Sequence, residues 1–522
     1  MPSDAAILSG LAAAAVVSSL FVRWRNSRSL PVPPGPKPLP FVGNIRDLDP
    51  RELWVSSAKW AQQYGDIVYT HLFGKGIIFL NSIEVVNDLM DKRAALYSDK
   101  PNLIMVNELV GAGNMVVFTN YGDRARRQRR LMSHTLSAHH VPRQYEAVEL
   151  EARGMIGRFI EGGDAFHHLR RYSVGVILRI VYGIEMRDDD GSLRFLQVEE
   201  ETADALSNEI MAGGGVWAVD MMPWLRHLPS WLPGAGFKRK AAEWKKGFDE
   251  LREGPWEALK ANISAGKAPP SFCYELLTQP GKTITEQDQI DIKDTANSMY
   301  SASMDTSLTI MSHFLLAMMD HPEVVKKAQA ELDSLLGPGP GRMPTLLDKP
   351  KLPYVTAVFE ETLRYAVPVP LALPHCLLED DEYNGMHLPK GSIIFPNIWN
   401  LVRDERVYPD AHTFDPERFV EKGDGTYSTK QRDPRQYVFG FGRRRCPGSH
   451  LGEASVWFLV ASMLATLDIK KPLDENGNVI EPHIEFTNSI FRTPSEFKVS
   501  VTPRPKAKTA LQNSAPVKVA SV

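Results

Sequence analysis

The chain has 522 residues, with 60 Lys and Arg against 63 Asp and Glu and a net charge of −3. A balance this close to neutral leaves no basic excess for a nucleic-acid partner, and a 43% hydrophobic content excludes a highly charged disordered chain. Cys273, Cys376 and Cys446 are the only cysteines, too few and odd in number for a disulfide framework, which fits a reducing compartment facing the cytosol.

Residues 5–22 carry no charge and are rich in Ala, Val, Leu and Ile; Arg23, Arg25 and Arg28 follow. That length reaches the lower limit for a membrane-spanning helix, and arginines after the run hold that end on the cytoplasmic side. A cleaved signal peptide would carry its charge before the run. The pattern predicts a retained transmembrane helix in residues 1–25. Next comes Leu30-Pro31-Val32-Pro33-Pro34-Gly35-Pro36-Lys37-Pro38-Leu39-Pro40, a stiff spacer within a linker over residues 26–50. One catalytic domain is expected over residues 51–504, mainly α with small β-sheets. Residues 67–73 and 77–80 read as a hairpin turning at Gly74-Lys75-Gly76, followed by a helix over 83–93. Helical periodicity dominates from residue 122 to 336, where Gly337-Pro338 stops it. A single helix is predicted from an N-cap at Thr285 to Asp320, about 54 Å long at 1.5 Å per residue. Asn384-Gly385 signals a second hairpin, residues 400–438 read as a meander, and a helix runs from Ser449 to about Leu467. Short strands close the fold near Phe497. Residues 505–522 lack periodicity and read as a disordered tail.

The chemistry centres on Phe439-Gly440-Phe441-Gly442-Arg443-Arg444-Arg445-Cys446-Pro447-Gly448. Glycines permit sharp turns and close approach by a flat partner. Arginines around the sulfur favour thiolate, as does the N-terminus of a helix starting at Ser449 or His450. A lone anionic sulfur so presented suits one axial bond to a haem iron. Ala302 and Ser303 precede Thr306 by four and three residues and share its helix face, where small side chains would admit a planar ring. Glu361 and Arg364 stand at i, i+3 on a helix. Arg124, Arg126, Arg127, Arg129 and Arg130 form a dense basic run. Residues 216–225, with Trp231 and Phe237 beyond, are aromatic and apolar in an expected loop, as suits a surface dipping toward lipid.

The spacing of Phe439, Gly442, Arg444, Cys446 and Gly448 resembles the cytochrome P-450 signature at every fixed position. The proline-rich stretch is similar to that of microsomal members, and the whole chain to about residue 504 resembles fungal members acting in secondary metabolism. The resemblance implies the cytochrome P-450 fold and haem b held by Cys446, with Phe439, Gly442, Gly448 and Ala302 against the cofactor. Arg444, Arg129 and His375 would meet its propionates. Asp305 and Thr306 resemble the acid-alcohol pair that delivers protons; Ser303 stands where the family usually has glycine, and Ala125 where Arg129's helix usually has tryptophan. Arg418, in Phe414-Asp415-Pro416-Glu417-Arg418-Phe419, would join a buried Glu361–Arg364 pair that braces the cysteine loop. The substrate side would comprise residues 106–117, 369–373 and 489–491. The remaining arginines of 124–130 would form a basic surface for an acidic flavoprotein. The implied activity is a monooxygenase using O2 and NADPH on a hydrophobic small molecule, a terpenoid, polyketide or alkaloid-type metabolite. NADPH-cytochrome P-450 reductase and cytochrome b5 would be partners, on the endoplasmic reticulum membrane. The alternatives are a haem-thiolate isomerase or dehydratase and a haem-bearing ligand-binding protein.

Overall fold

The computed structural model describes residues 30–49, 51–211, 217–337, 341–420, 431–486 and 490–514. The apolar run 5–22 lies outside them; among the described residues, no helix is long and apolar enough to cross a membrane. After α1 (Leu53–Tyr64), strands β1 (Ile67–Leu72) and β2 (Lys75–Leu80) pair antiparallel. Their turn is tighter than expected: Phe73 and Gly74 both hold positive φ, 48° and 83°, the requirement of a two-residue hairpin turn. Lys75 and Gly76 therefore belong to the strand. The helix expected over 83–93 is an α-turn, Ile83–Val86, that widens into a π-helix, Asn87–Lys92.

The helical body comprises α2 (Asp123–Leu136), α3 (Tyr145–Glu161), α4 (Ala165–Tyr182), α5 (Asp190–Asp204), α6 (Gly236–Ser264), α7 (Glu286–Ser301), α8 (Met304–Asp320), α9 (Pro322–Leu336) and α10 (Pro353–Ala366). Strands β3 (His375–Cys376) and β6 (Ile393–Pro396) extend the first sheet in the order β1-β2-β6-β3, with β2 and β6 parallel. Between them β4 (Asp381–Tyr383) and β5 (Met386–Leu388) form the hairpin expected at Asn384-Gly385, both of positive φ. After α11 (Arg435–Val438), α12 (Ser449–Thr466) runs through the centre, and every residue from Ala454 to Thr466 is buried. A helix apolar all round is stable only when surrounded; α3, α8, α9 and α10 all pack on α12. Strands β7 (Leu467–Lys470) and β8 (Ser500–Pro503) follow.

Two expectations are corrected. The long helix from Thr285 is interrupted. Thr285 does cap its start, accepting from Asp288 N–H at 3.1 Å, but α7 ends at Ser301 and α8 starts at Met304. The Ser303 hydroxyl donates to Tyr300 O at 2.9 Å, a local bond of the kind with which serine competes against the helical ladder. In the tail, residues 507–512 form helix α13 (Ala507–Gln512), with Ala507 and Ala510 buried against α3 and α12. Small alanines suffice to dock one turn without the longer apolar period that a sequence reading requires.

Candidate active site

The cysteine loop is set by its backbone. Gly440 and Gly442 have φ of 73° and 58°, values that glycine adopts without a steric penalty, and a Cβ on Gly442 would collide with the Met90 carbonyl oxygen. Gly442 N–H donates to Asp91 Oδ1 at 2.6 Å and Cys446 N–H to Phe439 O at 2.8 Å, closing the loop. Gly448 is the N-cap of α12, and the nearest atom to a Cβ placed there is Cys446 Sγ at 3.8 Å. The Cys446 side chain is exposed, yet protein surrounds it deeply enough for burial to dominate its ionisation. Burial pushes the thiol up; the Gly448 N–H, Arg129 and Arg445 pull it back without cancelling that effect. Arg129 and Arg445 act in the expected direction, toward thiolate, but burial outweighs them. A bonded metal cation, which deprotonates a coordinating thiol outright, would supply the difference.

Beside the loop lies a group of cations without an ion-pair partner among the described residues, with the Asp99 carboxylate acting on Lys100 and Arg444 only from a distance. Arg129 Nη2 donates to Arg445 O at 2.8 Å, and Arg444 Nη2 to Val116 O at 3.1 Å and Thr119 O at 2.6 Å. Arg444 Nη1 is buried with no hydrogen-bond partner. Burial, with Arg129 adding to it, pushes the Arg444 guanidinium down to about 10. Lys100, which the sequence reading missed, is buried and donates to Leu373 O at 3.2 Å and Pro374 O at 3.0 Å. Burial and then the charge of Arg444 hold its ammonium well below the usual lysine range. The neighbouring Asp99 carboxylate is engaged by Asn120 Nδ2 at 3.1 Å and Tyr121 N–H at 2.8 Å. Among the described residues, no carboxylate forms an ion pair with Lys100, Arg129 or Arg444. Like charges gathered this way repel, and an anionic ligand relieves them. His375 contributes differently. Its Nδ1 lies 2.6 Å from Tyr97 O, and burial, Lys100 and Arg444 hold the ring neutral. Nδ1 then carries the proton, and Nε2 is an acceptor that donates to an anion only when the ring is protonated.

Asp305 and Thr306 sit in the first turn of α8, just past the interruption. Thr306 Oγ1 donates to Ala302 O at 3.2 Å, and Ser207 Oγ donates to Asp305 Oδ2 at 2.8 Å. Burial raises the Asp305 carboxyl above its ordinary range, against the lowering effect of the Ser207 bond. Ala302 is exposed at the break.

Glu361, Arg364 and Arg418 meet in the interior. Arg364 binds Glu361 bidentately, Nε and Nη2 each 2.7 Å from a carboxylate oxygen, and Arg418 Nε reaches the same carboxylate at 3.3 Å. The remaining donors are satisfied by the meander: Arg364 by Val402, Ala411 and Thr413 carbonyls, Arg418 by those of Pro409 and Asp410. The Arg364 guanidinium lies 5.5 Å from the Tyr408 ring centroid, Tyr408 meets Tyr437 edge-on, and Tyr437 O accepts from Gly440 N–H at 2.9 Å. A continuous run of contacts therefore joins the cluster to the cysteine loop.

The basic run on α2 departs from expectation. Arg124 pairs with Asp294 at 2.8 Å and Arg127 with Asp291 at 2.6 Å, which bolts α2 to α7, while Arg126 pairs with Asp123 at 2.5 Å. Ala125 is fully buried. Two of the five arginines are thus tied to α7, while Arg126 and Arg130 stay on the exposed face. On the substrate side, Val106, Ala112 and Met115 share one apolar cluster with Ala205, Ile210, Phe248 and Ile490. Val216 and Ser489 fall outside the described residues. Trp217 packs on that cluster, whereas Trp224 and Trp231 are 61% and 77% exposed.

A mainly helical fold, with one thiol presented by a glycine-arginine loop and uncompensated cations at its side, has the make-up of a haem-thiolate protein. Residues 33–501 match the family described as Cytochrome P450. The chain is 40% identical over 498 residues to cytochrome P450 monooxygenase claT of Ampulloclitocybe clavipes, covering 95% of each protein. It is 38% identical to cytochrome P450 monooxygenase 208 of Postia placenta, over 94% of each, and 37% identical to tryptamine 4-monooxygenase of Psilocybe cyanescens, over 92% of this chain and 94% of that one. The chain belongs to the cytochrome P450 family, and it is an enzyme of the monooxygenase kind.

Proposed function

We propose that the protein binds haem b through Cys446 and inserts one oxygen atom into a hydrophobic small molecule of secondary metabolism, of terpenoid, polyketide or alkaloid type. The observation that carries this reading is the juxtaposition of a lone loop cysteine with Lys100, Arg129 and Arg444, cations that lack a carboxylate partner. The orphaned Arg444 Nη1 fits a propionate oxygen. Phe439, Gly442, Gly448 and Ala302 would line the ring; His375 holds the strand beside it. When bound, the haem supplies dioxygen activation, with the thiolate donating electron density that favours O–O cleavage. The chain's own residues orient the substrate, exclude water and move protons: Thr306 holds one at Oγ1, and Asp305 supplies the next. Names of the fungal relatives support the substrate class, tryptamine 4-monooxygenase among them.

Electrons would come from NADPH through NADPH-cytochrome P-450 reductase, with cytochrome b5 as a second donor, docking on the exposed Arg130, Arg443 and Arg445. Residues 1–25 would anchor the chain in the endoplasmic reticulum membrane as a single pass, and Trp224 and Trp231 would rest at the lipid surface. The test is co-expression with a reductase under isotopically labelled dioxygen, with products read by mass spectrometry. One labelled oxygen per product, dependent on NADPH, is expected. Turnover of a peroxide without NADPH or dioxygen would instead identify an isomerase or dehydratase.

A further inference from the structure

We propose that Glu199 is a second carboxyl of the proton route, a positioning acid on α5 that resupplies Asp305 from the protein surface beside Arg170. This rests on the Asp305–Thr306 reading above and extends it outward. Glu199 is 1% exposed, and its Oε2 is buried with no hydrogen-bond partner. Such an atom is costly unless the carboxyl is protonated or a further group visits it. Thr202 Oγ1, three residues along the same helix, is also buried and unpartnered. The two atoms lie on one helix face, and together they offer a water the polar contacts it needs to carry a proton.

The surroundings point from this acid toward Asp305. Burial first, then the fields of Asp305 and Glu200, push the Glu199 carboxyl well above its ordinary range. Tyr300 packs near enough for Glu199 to act on its hydroxyl, which is committed to Phe195 O at 2.8 Å. Asp305 in turn faces Ser207, Asp204 and Arg170. On the outer side, Arg170 of α4 pairs with Glu200 and Glu496, both partly exposed. Arg170 thus joins the partly exposed Glu200 and Glu496 and its field reaches Asp305, while Glu199 feels both Glu200 and Asp305. The proposed route passes from that exposed edge by way of Glu199 to Asp305 and Thr306.

The alternative is that Glu199 is a counter-ion for a substrate ammonium. Cys446 is exposed, whereas Glu199 is almost wholly buried, so its carboxyl does not line open space beside the cysteine. The proton balance of the relay is simple. As the Thr306 hydroxyl gives up its own proton to the reacting oxygen it takes one from Asp305, and the resulting Asp305 carboxylate takes the proton of Glu199. Glu199 then recovers one from water at the Arg170 edge.

The experiment uses the full-length holoenzyme with reductase and NADPH, without added substrate, comparing wild type with Glu199→Gln, Glu199→Asp, Asp305→Asn and Thr306→Ala. Equal haem content and an unchanged carbon monoxide band show which variants fold. Infrared spectra of the ferric protein should contain a protonated carboxyl C=O band at neutral pH that shifts in deuterium oxide and is lost in Glu199→Gln. That variant should oxidise NADPH about tenfold more slowly, less than the ~100-fold expected for a directly acting acid. It should also show a larger solvent deuterium isotope effect and more peroxide per NADPH, with partial rescue in Glu199→Asp. A Glu199→Gln enzyme that keeps the wild-type isotope effect and peroxide ratio overturns the proposal. If Asp305→Asn and Thr306→Ala alter those quantities, Glu199 alone is removed from the route; if they too match wild type, the Asp305–Thr306 relay fails with it. Weakened tryptamine binding in Glu199→Gln at an unchanged isotope effect would make the residue a counter-ion and likewise overturn the proposal.

Discussion

Two charged clusters of this protein are both rich in cations and opposite in what completes them. Glu361 sits between Arg364 and Arg418, and the guanidinium donors left over are taken by meander carbonyls. Lys100, Arg129 and Arg444 have carbonyl partners only, and one Arg444 nitrogen has none. The first cluster is complete within the chain, which is what a brace requires. The second carries uncompensated charge, which costs stability unless an anion arrives. A carboxylate partner and a full set of acceptors, rather than burial, separate structure from ligand site here.

Breaking the first cluster should have the largest effect. Glu361→Gln or Arg364→Ala leaves a buried charge unpaired and should destabilise the fold by about 3–5 kcal/mol, read as a lower denaturation midpoint with and without haem. The second cluster should respond with divided signs. Lys100→Met should weaken haem retention by about tenfold, in line with a charged hydrogen bond of roughly 1.5–3 kcal/mol, while raising the stability of the haem-free protein. Competition for haem by apomyoglobin and denaturation of the apoprotein separate the two effects.

The pH dependence sharpens this contrast. Burial holds Lys100 well below its ordinary 10.5 in the folded chain. Between the folded and unfolded values the unfolded chain binds more protons, so apoprotein stability rises with pH through that window. Below the folded value the ammonium is charged in both states and the penalty is fully present. Lys100→Met should flatten the rise; a slope unchanged by the substitution would remove the assigned cost. Thr306→Ala should leave stability within about 0.5 kcal/mol and instead divert NADPH equivalents to peroxide. Ser303→Ala should have the smallest effect, a stability change within about 0.5 kcal/mol with no change in the peroxide ratio, measured by chemical denaturation and NADPH oxidation.

The sequence was most informative where chemistry and backbone restriction coincide. The cysteine loop, the Thr285 cap and the Asn384-Gly385 turn each depend on a few adjacent residues. Lys100 was illegible because an exposed lysine and a buried one look alike in sequence; its burial depends on carbonyls of residues 373 and 374. The pairing of Arg124 and Arg127 with Asp294 and Asp291 was hidden for the same reason, since those aspartates lie on another helix. The break at residues 302 and 303 interrupts an otherwise helical pattern through one serine hydroxyl, a signal too local for periodicity to register.

The reduced carbon monoxide spectrum of the full-length protein and its Cys446→Ser variant tests the central claim most directly. Wild type should give the red-shifted band of a thiolate-ligated haem, and the variant should lose it. A haem protein whose band lacks that shift, or whose shifted band survives in Cys446→Ser, would contradict the assignment of Cys446 as the iron ligand.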